Sequence, residues 1–314
     1  MLRGKVTCCA AMLLMAAALI FASSCTPSDD NLAKEAALPV NPDDIESRLE
    51  KVRVSGKIEV VSAKNDYVQI DVSAAHNGYI LLQYDHEYKN KLKLKVEKGK
   101  MSYYYSLSPD GSPTPFPLQM GSGEYKISVL EQVEGDKYAL WLTCSVDAAL
   151  ESENSAFLLP SQIVSYDRSS DAVQKGLELT SGALDDLTKV TKLFNYISQN
   201  IAYDYEKARL IKDESIVDYL PSVDKTLASG KGICYDYSAL FAAMLRANGI
   251  PAKLIIGYAQ PGDIYHAWNM IYITDVGWVG RKIYFDGKSW QLADTTFAAT
   301  GEDSDVEYVP LREY

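Results

Sequence analysis

The apolar pattern of this chain changes period near Ser169, and that change constrains the fold more than any other feature. From about Val52 to Ala148 the chain reads as β-rich. "KLKLKVEKG" sets Leu92, Leu94 and Val96 between lysines, and "SYYYSL" continues in strand-forming residues. "EYKISVLEQ" and "DKYALWLTCSV" follow as two more strands around the turn signal "EGD", while "SPDGSPTPFPLQMGSG" reads as turn and loop. Several short strands with turns between them predict a small β-sandwich-like, immunoglobulin-like domain over residues 51–150. Tyr103, Tyr104 and Tyr105 serve there either as strand packing or as a ligand platform.

Beyond Ser169 the spacing is helical. "DDLTKVTKLFNYISQNI" places Leu187, Val190, Phe194, Ile197 and Ile201 on one face. The next thirty or so residues, "AYDYEKARLIKDESIVDYLPSVDKTLASGKG", predict an irregular connection. A second helix then starts at Cys234, with Leu240, Phe241, Met244 and Leu245 spaced for one apolar face. It stops at Asn248-Gly249 with Pro251 just beyond. "AKLIIGYA" and "IYHAWNMIYI" are strands, and "RKIYF-DG-KSWQL" folds at Asp286-Gly287 as a hairpin. Helices followed by antiparallel strands make residues 165–314 an α+β domain.

The N-terminus is read as a targeting segment. Arg3 and Lys5 precede an uncharged apolar stretch from Cys8 to Ala22, too short to span a bilayer comfortably. The layout predicts a signal peptide over residues 1–24. Its end, "ASSC", resembles the lipobox of bacterial lipoproteins, with Ala22 where Leu is usual. The resemblance implies cleavage before Cys25, lipidation of that residue, and an extracytoplasmic protein anchored to a bacterial membrane; the alternative is simple secretion. Residues 25–50, polar, acidic and Pro-containing, then form a tether. The formal charge of −11 argues against a broad basic surface for nucleic acid or anionic lipid.

Cysteine usage narrows the chemistry. Cys8 and Cys9 leave with the signal peptide and Cys25 is taken by lipid, so Cys144 and Cys234 are left in the folded body. They could pair in an oxidising compartment, or Cys144 could be a core residue of its strand. Cys234 follows Gly230 and Gly232 and opens a helix, where the dipole favours a thiolate; a buried cysteine can equally be a small apolar residue. The three histidines are His76 and His86 in the β-rich half and His266, which shares the strand "YHAWNMIYI" with Trp268, Met270 and Tyr272 on one face. Asp294 closes "SWQLAD" and is the best orienting carboxylate, because Asp286 belongs to the hairpin turn and Asp263 and Asp275 flank loops. Close ligand pairs for a metal, a phosphate loop and a dinucleotide fingerprint are all missing from the sequence, so neither metal nor cofactor is expected.

With "GKGICYDYSALFAAMLRANGIPAKLIIGY", "YHAWNMIYI" and "WQLADTTF" in view, residues 170–300 resemble the transglutaminase-like superfamily, the bacterial branch of papain-type cysteine enzymes. The resemblance implies a papain-type core in which Cys234 is the nucleophile, His266 the base and Asp294 the orienting carboxylate. Two departures are Thr295, where the family usually has Pro, and the inserted "TDVGWVGRKIYFDG" between His266 and Asp294. The implied activity is attack of a thiolate on an amide of a protein or peptide, giving a thioester resolved by an amine or by water. Tyr203 and Tyr205 of "AYDY" are candidates for an oxyanion-hole side chain or for ordinary packing. The alternative function is a non-catalytic surface lipoprotein that binds polypeptide or cell-wall components with the same fold. In a further alternative the β-rich domain is the functional unit.

Overall fold

The computed structural model describes residues 61–262, 264–280, 282–283, 291–292, 294–301 and 306–314. The expected signal peptide, Cys25 and the tether lie outside the described residues, as do Asp263, Asp286 and Trp290. No helix among the described residues is long and apolar enough to cross a membrane.

The β-rich half contains β1 (Ala63–Lys64), β2 (Val68–Asp71), β3 (Tyr79–Tyr84), β4 (Leu92–Lys98), β5 (Met101–Ser106), β6 (Thr114–Pro117), β7 (Gly123–Glu134) and β8 (Lys137–Ala148). They form two four-stranded antiparallel sheets, ordered β1-β2-β3-β6 and β5-β4-β7-β8. Alternation in β4 buries Leu92, Leu94 and Val96 and turns Lys93 and Lys95 outward, as a half-buried strand requires. Their partners in the same core are Ile70 of β2, Ile80 and Leu82 of β3, and Phe116 of β6. Tyr105 is buried and meets Phe116 edge-on, with ring centroids 5.0 Å apart, whereas its neighbour Tyr104 is exposed. The tyrosine run therefore follows strand alternation, and Tyr105 joins the two sheets.

One strand falls where a loop was expected. "TPFP" forms β6 and pairs with β3 alone, at the edge of its sheet. A proline lacks the N–H that a central strand must donate, so an edge place tolerates Pro115 and Pro117.

The second half contains α1 (Asp171–Thr180), α2 (Asp186–Asn200), β9 (Ala202–Tyr203), α3 (Tyr205–Lys212), α4 (Val223–Ser229), β10 (Lys231–Gly232), α5 (Cys234–Ala247), β11 (Ala252–Gln260), β12 (Ile264–Ile273), β13 (Gly277–Val279), β14 (Lys282–Ile283), β15 (Gln291–Leu292), α6 (Thr295–Thr300) and β16 (Glu307–Glu313). Its main sheet is antiparallel, ordered β13-β12-β11-β16, and β14 pairs with β15. The connection expected to be irregular holds two short helices and the parallel β9–β10 pair. Asp204 Oδ1 accepts the N–H of Lys207 at 2.9 Å to start α3, and Gly230, at φ 62°, closes α4. Helices of eight and seven residues are too short for an apolar period to declare itself.

The largest difference from expectation concerns α5. Its sequence suggests one apolar face, yet every residue from Asp236 to Ala247 is buried. Helices α1, α2, α4 and α6 and strands β11 and β12 all pack on it. Alanines 239, 242, 243 and 247 keep the helix narrow enough for that enclosure. Asn269 of β12 donates to the carbonyls of Ser238 (3.0 Å) and Lys253 (3.2 Å), tying the sheet to the helix.

Arg246, near the end of α5, is fully buried and serves three carbonyls. It donates to Leu159 at 2.8 Å, to Ala252 at 2.8 and 3.0 Å, and to Tyr314 at 3.0 Å. Burial lowers its pKa to about 10, which still leaves the guanidinium charged near neutrality. The core itself runs on from the β-rich sheets through Ile163, Val164 and Tyr166 to the residues around α5. Replacing Arg246 with Ala strips donors from buried carbonyls, and a loss of roughly 3 kcal/mol is expected. Urea unfolding of Arg246→Ala beside the wild-type chain measures it, and an unchanged midpoint would show these bonds to be dispensable.

Candidate active site

Cys234 occupies the first position of α5, and its placement is fixed by the residues on either side. The N–H of Ile233 donates to Asp236 Oδ2 at 2.9 Å, closing the first turn. Asp236 is completely buried, and the same oxygen accepts from Lys207 Nζ at 2.9 Å while Oδ1 accepts the Tyr219 hydroxyl. Lys207 therefore offsets a carboxylate that burial alone would penalise. Gly232 has no freedom to carry a side chain, since a Cβ there would lie 2.6 Å from the Asp236 Cβ. Both free thiols of the described residues, Cys144 and Cys234, are unbridged. Cys144 sits half-buried on β8, where desolvation raises its pKa.

His266 and Asp294 meet the cysteine from different elements. His266 lies on β12 and is 4% exposed. Its ring is hydrogen-bonded to the Cys234 side chain, and Nε2 lies 2.7 Å from Asp294 Oδ2. With Nε2 given to the carboxylate, Nδ1 is the ring nitrogen that remains for the sulfur. Phe297 stacks on the imidazole, centroids 4.4 Å apart and planes at 6°, and Trp268 lies farther away at 6.2 Å and 14°.

Asp294 was expected to close the strand but stands two residues past the end of β15, at the N-cap of α6. Oδ1 accepts the N–H groups of Thr296 (2.9 Å) and Phe297 (3.1 Å). Oδ2 takes His266 and the Tyr308 hydroxyl, the latter at 3.0 Å. Capping and orienting the ring are thus two uses of one carboxylate. Thr295 fills the first helical position, where the preset φ of proline is equally suited, so its departure from the family pattern leaves the cap intact.

Tyr308 is the site residue that sequence reasoning missed. It belongs to β16, which pairs with β11 so that Tyr308 lies opposite Ala259. Its ring packs on Trp268, centroids 4.6 Å apart. That contact depends on Gly257: a Cβ there would lie 2.1 Å from the Val309 carbonyl and 2.8 Å from Trp268 Cη2. The alternation of "EYVPLRE" was available as a strand signal, but nothing in it points toward Asp294.

The oxyanion candidates separate. Tyr203 is carried beside the cysteine turn by the β9–β10 pair, in which it lies opposite Gly232. It lines the cavity that also contains Cys234 and His266. Tyr205 is 72% exposed, makes edge contact with Tyr203 at 4.9 Å, and is not among the lining residues.

Electrostatics bias the imidazole toward its charged form. Burial disfavours a protonated His266, but hydrogen bonds to Asp294 and Cys234 outweigh it and push the pKa up to about 10. A folded-state value above the unfolded one of about 6.5 contributes stability that is full below that pH and is lost as pH rises toward ten. Thermal melts of the wild type should therefore fall between pH 7 and 10 more steeply than those of His266→Asn. At pH 6 iodoacetamide should label Cys234 at least about ten-fold faster in the wild type than in His266→Asn, the gap closing near the ordinary thiol pKa of about 8.5. Equal rates at pH 6, read by peptide mapping, would show that the imidazole does not activate the sulfur.

Residues 174–295 match the model of the transglutaminase-like superfamily. YebA of Bacillus subtilis (strain 168) is 29% identical over 120 residues, 33% of this chain and 16% of that protein. Rv2569c of Mycobacterium tuberculosis (strain ATCC 25618 / H37Rv) is 29% identical over 99 residues, 28% of this chain and 32% of that protein. The chain thus spans a minor part of either relative. Among solved structures, the periplasmic domain of TgpA from Pseudomonas aeruginosa aligns at 15% identity with a TM-score of 0.34, covering 76% of this chain and 96% of that domain.

Proposed function

We propose that this transglutaminase-like chain is a thiol enzyme acting on amide bonds of proteins or peptides through Cys234, His266 and Asp294. The observation that carries the reading is the buried relay from the Cys234 side chain through the His266 ring to Asp294. A merely structural histidine has no use for a sulfur on one nitrogen and a carboxylate on the other.

In the resting state the thiol proton resides on His266, and the sulfur is a thiolate at the N-terminus of α5. Sulfur attacks the amide carbonyl carbon, an S–C bond forms, and the carbonyl π electrons move to oxygen. The backbone N–H of Cys234, at the first position of α5, and the Tyr203 hydroxyl serve as donors to that oxyanion; Tyr203 bordering the same cavity supports its part. Collapse breaks the C–N bond, His266 delivers its proton to the departing nitrogen, and a thioester remains. An amine or a water molecule then gives its proton to His266 while attacking the thioester carbon, and the thiolate leaves. Asp294 keeps the ring in one tautomer and supports its positive charge throughout.

Purified protein and Cys234→Ala should be incubated with glutamine-containing and other peptides, with and without a labelled primary amine. Mass spectrometry then separates amine incorporation, deamidation and cleavage. At least one of these is expected in the wild type and none in Cys234→Ala; equal signals in the two would end the enzyme proposal. Asp294→Ala should lower the rate by on the order of 10²–10⁴-fold, the range of a general acid–base contribution.

The same proposal places the enzyme outside the cytoplasm, tethered by lipid on Cys25. Arg3, Lys5, the apolar run from Cys8 to Ala22 and "ASSC" support it. In a bacterial host the full chain should partition with membranes and carry a fatty-acid label, while Cys25→Ala should lose both. Retention of the label in Cys25→Ala would exclude this anchor.

A further inference from the structure

The cavity beside Cys234 is large, and isoleucines and tyrosine rings make up most of its lining. Its volume is about 680 Å³, with Cys234 and His266 in its lining. One wall is Ile211 of α3 with Ile216 and Tyr219 from the segment after it; the other is Ile256 of β11 with Ile264 and Tyr265 of β12. Besides His266, the charged side chains among the described lining residues are Lys212 and Asp218, and Asp218 pairs with Lys91 at 3.6 Å.

Two features show that this apolar lining is built rather than incidental. Tyr219 gives its hydroxyl to Asp236 and accepts from Lys207 Nζ at 3.1 Å, so the polar tip is anchored in the cap of the cysteine helix. The part of Tyr219 left to face the cavity is its ring. Across the cleft, Ile264 and Tyr265 immediately precede His266 and are 51% and 64% exposed. Large apolar side chains held open to solvent beside a reactive sulfur fit a surface that a ligand covers. Isoleucines and tyrosine rings outnumber Lys212 and Asp218 in this lining, so the cleft favours an apolar group over a strongly charged one.

We infer that the substrate is a peptide carrying an aromatic or branched aliphatic side chain beside the attacked amide. That side chain is seated between the Ile211–Ile216–Tyr219 wall and the Ile256–Ile264–Tyr265 wall. An aromatic side chain brings about 150–250 Å² of surface to such a slot. This assignment of substrate class rests on Cys234 being the reactive thiol.

Haloacetamides test it without knowledge of the natural substrate. In each reagent the thiolate forms an S–C bond at the methylene carbon and iodide leaves. Labelling of the full-length protein at Cys234 is followed by mass spectrometry with iodoacetamide, with N-(2-phenylethyl)iodoacetamide and with a cationic N-(2-ammonioethyl) analogue. The phenyl reagent should react at least about ten-fold faster than iodoacetamide, with a rate that saturates in reagent concentration. Ile216→Asp and Ile264→Asp, at two partly exposed positions on opposite walls, should each bring that ratio close to one. A wild-type ratio near one, a ratio untouched by both substitutions, or preference for the cationic reagent overturns the inference while leaving the thiol reading intact. Failure of all three reagents to label Cys234 overturns the thiol reading, and this inference with it.

Discussion

A helix with no solvent-facing side is the constraint from which the rest of the molecule follows. Once every residue from Asp236 to Ala247 is enclosed, both ends of α5 must find partners inside the protein. At the end, Arg246 spreads its donors over carbonyls of three separate segments and so joins the linker at Leu159, the start of β11 and the final strand region at Tyr314. At the beginning, Asp236 closes the first turn and draws Lys207 and Tyr219 onto it. Cys234 is the first helical residue, inside that turn and only half-buried, at the point where the enclosed helix meets a cleft. The sulfur gains its definite position from this, because the helix behind it cannot shift without breaking the core.

The second organising device is the economy with which carboxylates are used. Asp294 starts α6 with one oxygen and holds His266 and Tyr308 with the other. Asp236 likewise joins helix capping to the alignment of a cavity wall. In each case a backbone need and a functional need fall on a single buried group, so the chemistry is coupled to local folding. The imidazole is then gripped from its faces as well as its edges: Phe297 stacks on it, Trp268 stands farther along the strand, and Gly257 supplies the room that Trp268 and Val309 require.

Different parts of the molecule were legible to different degrees. Strand alternation in "KLKLKVEKG" and the pairing of β7 with β8 around "EGD" match the structure closely, because one sheet face is buried and a slip of one residue would invert it. The helix beginning at Cys234 was legible in position but not in environment: periodicity in "CYDYSALFAAMLRA" marks one apolar face, and only the packing of α1, α2, α4 and α6 shows that the others are covered too. Helices α3 and α4 were invisible for a simpler reason. They are a turn or two long, and caps and tertiary contacts stabilise them more than their own pattern does.

By itself the sequence determined the residue types able to do thiol chemistry and part of their local geometry: a cysteine at a helix start behind two glycines and a histidine on a strand, whereas the aspartate reads there as closing a strand and only the structure shows it starting a short helix. These are consequences of neighbours within a few residues, which is the range over which dihedral preferences and capping act. The tertiary structure alone decided which ring nitrogen faces the carboxylate, that Tyr308 shares Asp294, and that Tyr203 rather than Tyr205 borders the cleft. Those outcomes depend on strands and helices brought together from distant parts of the chain. Such meetings are set by the shape of the core, and no local pattern encodes it.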